Sequence, residues 1–358
     1  MRPRRAGRPA FLLALLLLLL PACQREPGTG DTAAPPPPRR IIALTPSLVE
    51  TLFALGLGDR VVGVGNYVRW PPAAVRKPRI GGLFDPNLER IVALKPDLAV
   101  LLPSERDLST RLKPLGVDVL VVPDETLAEV ERSFLTIARR CGVPAAGERL
   151  AAEWRAALAP RPLPPPPLRV LISVGRQAGR LGEVTVAARG TFFDELLARL
   201  GAANAFADAP TRYPQVGLEE IVARKPDVIL ELWPEPLSPD KAAELVRDWQ
   251  ALSRVPAVRN GRVEVFAGDY TVIPGPRLPR LYREMRAALG PARSANRSGL
   301  RFEASPPGPL SLTGEGEKAG RFGFVPPLPS GRGGQGVRPR RQDSAAHESQ
   351  VGTLWETP

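Results

Sequence analysis

Leu88-Glu89-Arg90-Ile91-Val92-Ala93-Leu94-Lys95-Pro96-Asp97-Leu98-Ala99-Val100-Leu101-Leu102 returns 130 residues later as Leu218-Glu219-Glu220-Ile221-Val222-Ala223-Arg224-Lys225-Pro226-Asp227-Val228-Ile229-Leu230-Glu231-Leu232. Nine of the fifteen positions are identical, which marks an internal duplication. Two copies are too few to stack as a solenoid. Each copy reads as a short helix, a Lys-Pro-Asp stop and a buried strand. Leu88, Ile91 and Val92 follow helical spacing. Pro96 disfavours the helical conformation at Lys95. The apolar run over 98–102 then suits a parallel strand covered on both faces.

The same rhythm surrounds each copy. Residues 40–44 predict a strand, followed by a helix over 47–55 that ends at Gly56. Their counterparts are a strand over 169–174 and a helix over 191–200 ending at Gly201. Further strands are expected at 117–122 and 262–266. Alternating strands and helices in both halves predict an α/β fold of two lobes with parallel sheets, over residues 40–126 and 168–290. Between them, 127–158 is helical by pattern, with a break at Gly142-Val143-Pro144. Val130, Phe134, Ile137 and Ala138 line one face before the break, and Leu150, Trp154 and Leu158 one after it. A Pro-rich spacer over 160–167 follows. This linker, 127–167, predicts one crossing through a long rigid helix, with the ligand cleft between lobes held at a nearly fixed separation.

The flanks have a different character. Arg2, Arg4, Arg5 and Arg8 precede an apolar run from Ala10 to Leu20, the layout of a secretory signal peptide over residues 1–22. The run is too short to span a bilayer, which takes about 20 residues. Leu20-Pro21-Ala22-Cys23 resembles a bacterial lipobox, which makes Cys23 the expected lipidation site. Residues 23–39, with Pro35-Pro36-Pro37-Pro38, read as a polyproline II tether. The expected location is therefore the periplasm or cell surface, lipid-anchored to a membrane. Cys141 is then without an intrachain partner and is expected to be a buried structural thiol. Residues 291–358 hold 11 Gly and 9 Pro without apolar periodicity, and read as a disordered tail.

Composition excludes whole classes of function. The chain has 358 residues, and hydrophobic residues make up 43% of it, enough to bury a core. Its one histidine, His347, lies in the tail. Imidazole-dependent nucleophilic catalysis and zinc sites of clustered His and Cys cannot be built in the folded part. The net charge of +12 resides mostly in the flanks; residues 41–290 carry 33 basic against 29 acidic side chains, interspersed. No nucleic-acid partner is expected from that pattern.

Ile41-Ile42-Ala43-Leu44-Thr45-Pro46-Ser47, then Gly56, Val61-Val62-Gly63-Val64, Tyr67 and Pro71-Pro72, then Asn87-Leu88-Glu89-Arg90-Ile91 and Lys95-Pro96-Asp97, resemble a class III periplasmic binding protein. These are receptors that deliver vitamin B12, haem or iron-siderophores to ABC importers. Tyr213-Pro214-Gln215-Val216, Leu218-Glu219-Glu220-Ile221 and Lys225-Pro226-Asp227 continue the match in order, over residues 40–290. The vitamin B12-binding branch is the most similar. The resemblance implies no catalytic residues, no resident cofactor or metal, and a cobalamin-type cargo. Its implied partners are an ABC permease dimer with its ATPase subunits, engaged by a monomeric receptor.

Tyr67 and Tyr213 fall where this branch places wall aromatics, one per lobe. Asp269 matches a family acid near the ligand rim, and Tyr270 beside it is a third aromatic candidate. Leu83-Phe84 stands where the branch has a tryptophan, and Ile273 where it has a basic residue. Trp70, Phe84, Arg176 and Trp233 are the residues available to compensate, and a siderophore or haem stays open as cargo. Glu89 and Glu219, matched in the two copies, resemble the family's transporter-docking glutamates. A carboxylate in a helix's first turn also interacts well with the helix dipole, so that explanation stands beside docking. Two other classes remain: an α/β envelope enzyme, for which no nucleophile-base pair or phosphate loop is found, and a structural envelope lipoprotein.

Overall fold

The computed structural model describes residues 36–179 and 181–290. The signal peptide, Cys23, most of the tether and the tail expected from sequence lie outside the described residues. From Pro38 onward the described chain forms one compact unit.

In the first lobe, β1 (Ile41–Ala43), β2 (Val61–Val64), β3 (Leu98–Leu101) and β4 (Asp118–Val121) form a parallel sheet in the order β2-β1-β3-β4. Successive side chains of a strand point to opposite faces. Accordingly Ile41, Ala43, Leu98 and Val100 join one core with Leu48 and Leu52, while Ile42, Ala99 and Leu101 join another with Ile91 and Leu112. The helices α1 (Pro46–Ala54), α2 (Pro72–Val75), α3 (Leu88–Ala93) and α4 (Arg106–Leu112) supply those covers.

The Lys-Pro-Asp stops have a shared structural explanation. Lys95 and Lys225 are the two non-glycine residues with positive φ among those described, at 45° and 49°. A left-handed residue ends each helix at a cost of about 1–2 kcal/mol. The Asp then latches the first strand of its lobe. Asp97 accepts the backbone N–H groups of Arg39 and Arg40 at 2.7 and 2.9 Å, and Asp227 accepts that of Arg169 at 2.9 Å.

The linker differs from the single crossing helix expected. It is a pair, α5 (Leu127–Arg140) and α6 (Pro144–Ala157), turned back on itself where left-handed Gly142 and helix-starting Pro144 interrupt it. Thr126 and Glu129 form a capping box at the start of α5. The two helices run antiparallel: Phe134 meets Trp154 edge-on at 5.6 Å, Glu131 pairs with Arg155, and Gly147 lies against Ala138. Leu127, Val130, Phe134, Trp154 and Leu158 pack into the second lobe's core, whereas Ile137, Ala138 and Cys141 pack into the first. The pair therefore stitches both cores. Cys141 is buried, and burial pushes its thiol up to about 11.

The second lobe is built on β5 (Arg169–Gly175), β6 (Val184–Val186), β7 (Ala203–Asn204), β8 (Gln215–Val216), β9 (Val228–Trp233) and β10 (Val263–Ala267). Its sheet runs β10-β9-β5-β6-β8, with β7 also on β5. This sheet is mixed where a parallel one was expected. β5, β9 and β10 are parallel, but β6 is antiparallel to both β5 and β8. Residues 176–183 are too few for a crossover, which takes about a dozen or more, so β6 can only return antiparallel. α7 (Phe192–Arg199), α8 (Leu218–Arg224), α9 (Pro239–Asp248), α10 (Pro256–Arg259) and α11 (Leu278–Leu289) cover it.

Candidate functional site

Ligands of parallel α/β sheets bind outside the C-terminal ends of the strands. In the first lobe that edge carries Thr45 and Ser47 after β1, Tyr67 and Trp70 after β2, Glu105 after β3, and Asp124 and Glu125 after β4. In the second it carries Trp233 at the end of β9, Pro234 after it, and Asp269 and Tyr270 after β10. The two edges meet. Phe192 donates its backbone N–H to the Glu125 carbonyl at 2.8 Å, and the Gly275 backbone approaches Ser47 on α1. Arg277 of the second lobe grips Glu50 of the first through both carboxylate oxygens and binds Asp269 at 2.9 Å.

A cavity of about 320 Å³ lies between the lobes. Its walls include Arg69 and Trp70 from the first lobe and Leu237, Asp269, Tyr270, Arg277 and Arg280 from the second. Trp70 is 41% exposed, with the Arg277 guanidinium 5.6 Å from its ring centre. Tyr270 is nearly buried and donates its hydroxyl to Glu284 at 2.6 Å, while Arg280 stacks 3.8 Å over its ring. Asp269 thus stands on the cavity wall but is bonded to Arg277.

Tyr67 and Phe84 project from the first lobe at 44% and 65% exposure. Tyr213 is half-buried against the second lobe's core. Burial, then the nearby first-lobe carboxylates Glu125 and Asp124, hold its phenol protonated far above neutrality. Trp233 is half-buried and packs beside Ala242, Leu245 and Val265. Arg176, expected among the ligand-binding residues, does not line the cavity. Its side chain is fully buried, bonded to Glu231 at 3.0 Å and Asp248 at 2.8 Å. Glu231 on β9 is itself buried, and an ionised carboxylate there requires a partner such as the adjacent strand's arginine.

Glu89 and Glu219 are both exposed, in the first turns of α3 and α8. Each of these helices leads into the start of a parallel strand, so its N-terminus lies towards the strands' C-terminal edge. Asn87 caps α3 by accepting the Arg90 N–H at 2.9 Å.

Sequence reading missed the acids beneath the cleft. Burial pushes Glu105 up to about 7; one of its oxygens accepts the Leu102 N–H at 2.6 Å and the Thr45 hydroxyl at 3.1 Å, and the other has no partner. Burial likewise pushes Asp124 up to about 7, although Ser47 donates to it at 2.8 Å. Glu50 rises to about 7 through burial, against the pull of Arg277. Glu50 had a signal in the sequence: it interrupts the apolar run Leu48-Val49-Glu50-Thr51-Leu52. Among the described residues no group of His, Cys, Asp and Glu is arranged to hold a metal ion.

Residues 41–269 match the model of a family described as periplasmic binding protein. The chain belongs to that family. This periplasmic binding protein is 30% identical over 253 residues to the vitamin B12-binding protein of Vibrio cholerae, covering 68% of this chain and 87% of that relative. The crystal structure of a periplasmic vitamin B12-binding protein of Vibrio cholerae matches it at a TM-score of 0.59 and 28% identity, over 71% of this chain and 97% of that one. A periplasmic heme-binding protein from Roseiflexus sp. RS-1 matches at 0.58 and 29%, over 70% and 97%. A possible iron-binding protein from Staphylococcus epidermidis matches at 0.61 and 26%, over 71% and 99%. The periplasmic binding proteins it resembles thus include vitamin B12, haem and iron binders.

Proposed function

We propose that this periplasmic binding protein captures a cobalamin-type corrinoid between its lobes and delivers it to an ABC importer, tethered to a membrane by acylated Cys23. It performs no chemistry on its cargo. The observation that carries the reading is a cavity between the lobes with a ring from each in its wall, Trp70 from the first and Tyr270 from the second. A corrin has a broad apolar face and a rim of amides. Aromatic walls with a few fixed polar groups suit it, because flat rings bury large area with little loss of side-chain freedom. Glu89 and Glu219 would meet basic residues on the two permease subunits, since one charge contact per lobe fixes both register and on-rate.

Haem or a ferric siderophore is the second reading, favoured by the exposed Arg69 on the cavity wall. Guanidinium groups suit carboxylate or catecholate oxygens, and tyrosine can ligate haem iron. Absorbance titration of the full chain with cyanocobalamin, haemin and a ferric siderophore tests both. Saturable binding of cyanocobalamin alone supports the first reading, and binding of haemin or the siderophore instead supports the second. Tyr67→Ala and Tyr213→Ala should each weaken the bound probe by roughly 1–3 kcal/mol, with less effect on stability. A parent that binds none of the probes would sink both readings.

A further inference from the structure

Arg277 precedes α11 in the second lobe, and its guanidinium is committed on every side. Nε donates to Glu50 Oε2 at 2.8 Å and Nη2 to Glu50 Oε1, while Nη1 donates to Asp269 Oδ1 at 2.9 Å. Its guanidinium carbon lies over the Trp70 ring, 5.6 Å from the ring's centre. Glu50 and Trp70 belong to the first lobe, and Asp269 and Arg277 to the second. Glu50 is 3% exposed, so the pair is a buried crossing between lobes rather than a surface bridge. Trp70, Asp269 and Arg277 all line the cavity. Just before Arg277, the Gly275 carbonyl accepts the Trp154 indole N–H at 3.1 Å, which ties the same loop to α6 of the linker.

We infer that Arg277 is a positioning residue of the ligand pocket, setting the Trp70 wall and the first lobe at a fixed distance from the second lobe's wall. The inference rests on the reading of this cavity as part of the ligand site. A planar fork held at three nitrogens has little freedom left, and it fixes the cation against which the Trp70 ring rests. A wall fixed before the ligand arrives does not have to be ordered on binding, so affinity gains from preorganisation. An ordinary stabilising ion pair would do none of this; it would only keep Glu50 from being buried unpaired.

The two roles separate in a pair of variants of the full chain, Arg277→Met and Glu50→Gln/Arg277→Met. The double variant removes the charge stranded in the buried Glu50, leaves Asp269 with its side chain 22% exposed to solvent, and does not rebuild the fork. Each ligand-free protein is melted and followed by hydrogen exchange, and each is titrated with cyanocobalamin and haemin. Arg277→Met should lower the melting midpoint. Relative to peptides of β5 and β9, it should also speed exchange in peptides covering 68–75 and 272–278 by about tenfold or more. The double variant should regain the melting midpoint yet keep the fast exchange. Whichever probe binds the parent should bind it at least ~10-fold more weakly, as expected of lost preorganisation. Recovery of protection together with melting, or normal exchange in the single variant, would overturn the positioning role and leave a stabilising pair. If the parent binds neither probe, it is the reading of the cavity as a corrinoid or haem site that fails, and the exchange data still decide what Arg277 does.

Discussion

Glu105→Gln tests whether the acids under the cleft are held against their charge. Burial raises the Glu105 carboxyl from 4.5 to about 7. Between those values the folded protein binds a proton that the unfolded chain has released. Stability from this group is therefore fully present below about pH 4.5 and lost as pH rises through 7. A shift of that size corresponds to on the order of 3 kcal/mol. Glutamine keeps an oxygen for the Leu102 N–H and Thr45 hydroxyl bonds, at 2.6 and 3.1 Å in the parent. It places an amide nitrogen where the parent has an oxygen with no partner. A buried amide left unpaired costs about 1–3 kcal/mol, so the variant should be the less stable protein at pH 4.5. At pH 8 the parent carries the buried charge and the variant does not, so the difference should vanish or reverse. The assay is urea unfolding followed by tryptophan fluorescence at several values between pH 4.5 and 8, with both proteins compared at each. Asp124 should leave the variant a reduced slope of the same sign, because it is raised to about 7 as well. A Glu105→Gln protein whose stability falls with pH as steeply as the parent's would refute the reasoning.

Gly147→Ala should destabilise by about 1–3 kcal/mol, because the added methyl would sit 2.4 Å from the Ala138 Cβ and force α5 and α6 apart; chemical denaturation measures it, and a neutral result would mean that the helices can separate freely. Glu89→Arg and Glu219→Arg should leave cyanocobalamin affinity unchanged yet abolish uptake in a receptor-deleted strain, with the double variant worst; full transport by the double variant eliminates docking. Cys23→Ser should release the protein from the membrane fraction, and unchanged fractionation rules out the lipid anchor.

Several features were legible in the chain because they are local. The apolar run over 98–102 suits a strand covered on both sides, and both it and its counterpart over 228–232, which carries Glu231, are buried throughout in the fold. The break at Gly142-Val143-Pro144 was visible too, but not its consequence. Whether a helix resumes in the same direction or doubles back depends on what its apolar face meets, and both helices find Phe134 and Trp154 in one another. Arg176 misled for a similar reason. It follows a strand end, as a pocket residue should, but its charge is claimed by Glu231 from a neighbouring strand 55 positions away.

The sequence by itself determined the two α/β lobes, the Lys-Pro-Asp stop of each repeat and the absence of imidazole from the folded part, since each of these is set by neighbouring residues or by composition. Only the tertiary structure decided that the second sheet is mixed and that the linker is a helical pair. It also decided that Glu50 and Trp70 of the first lobe converge with Asp269 and Arg277 of the second where the lobes meet. Glu50 and Arg277 lie 227 residues apart. No local pattern links them; burial of Glu50 creates the demand for a cation, and the packing of one lobe against the other determines that Arg277 meets it.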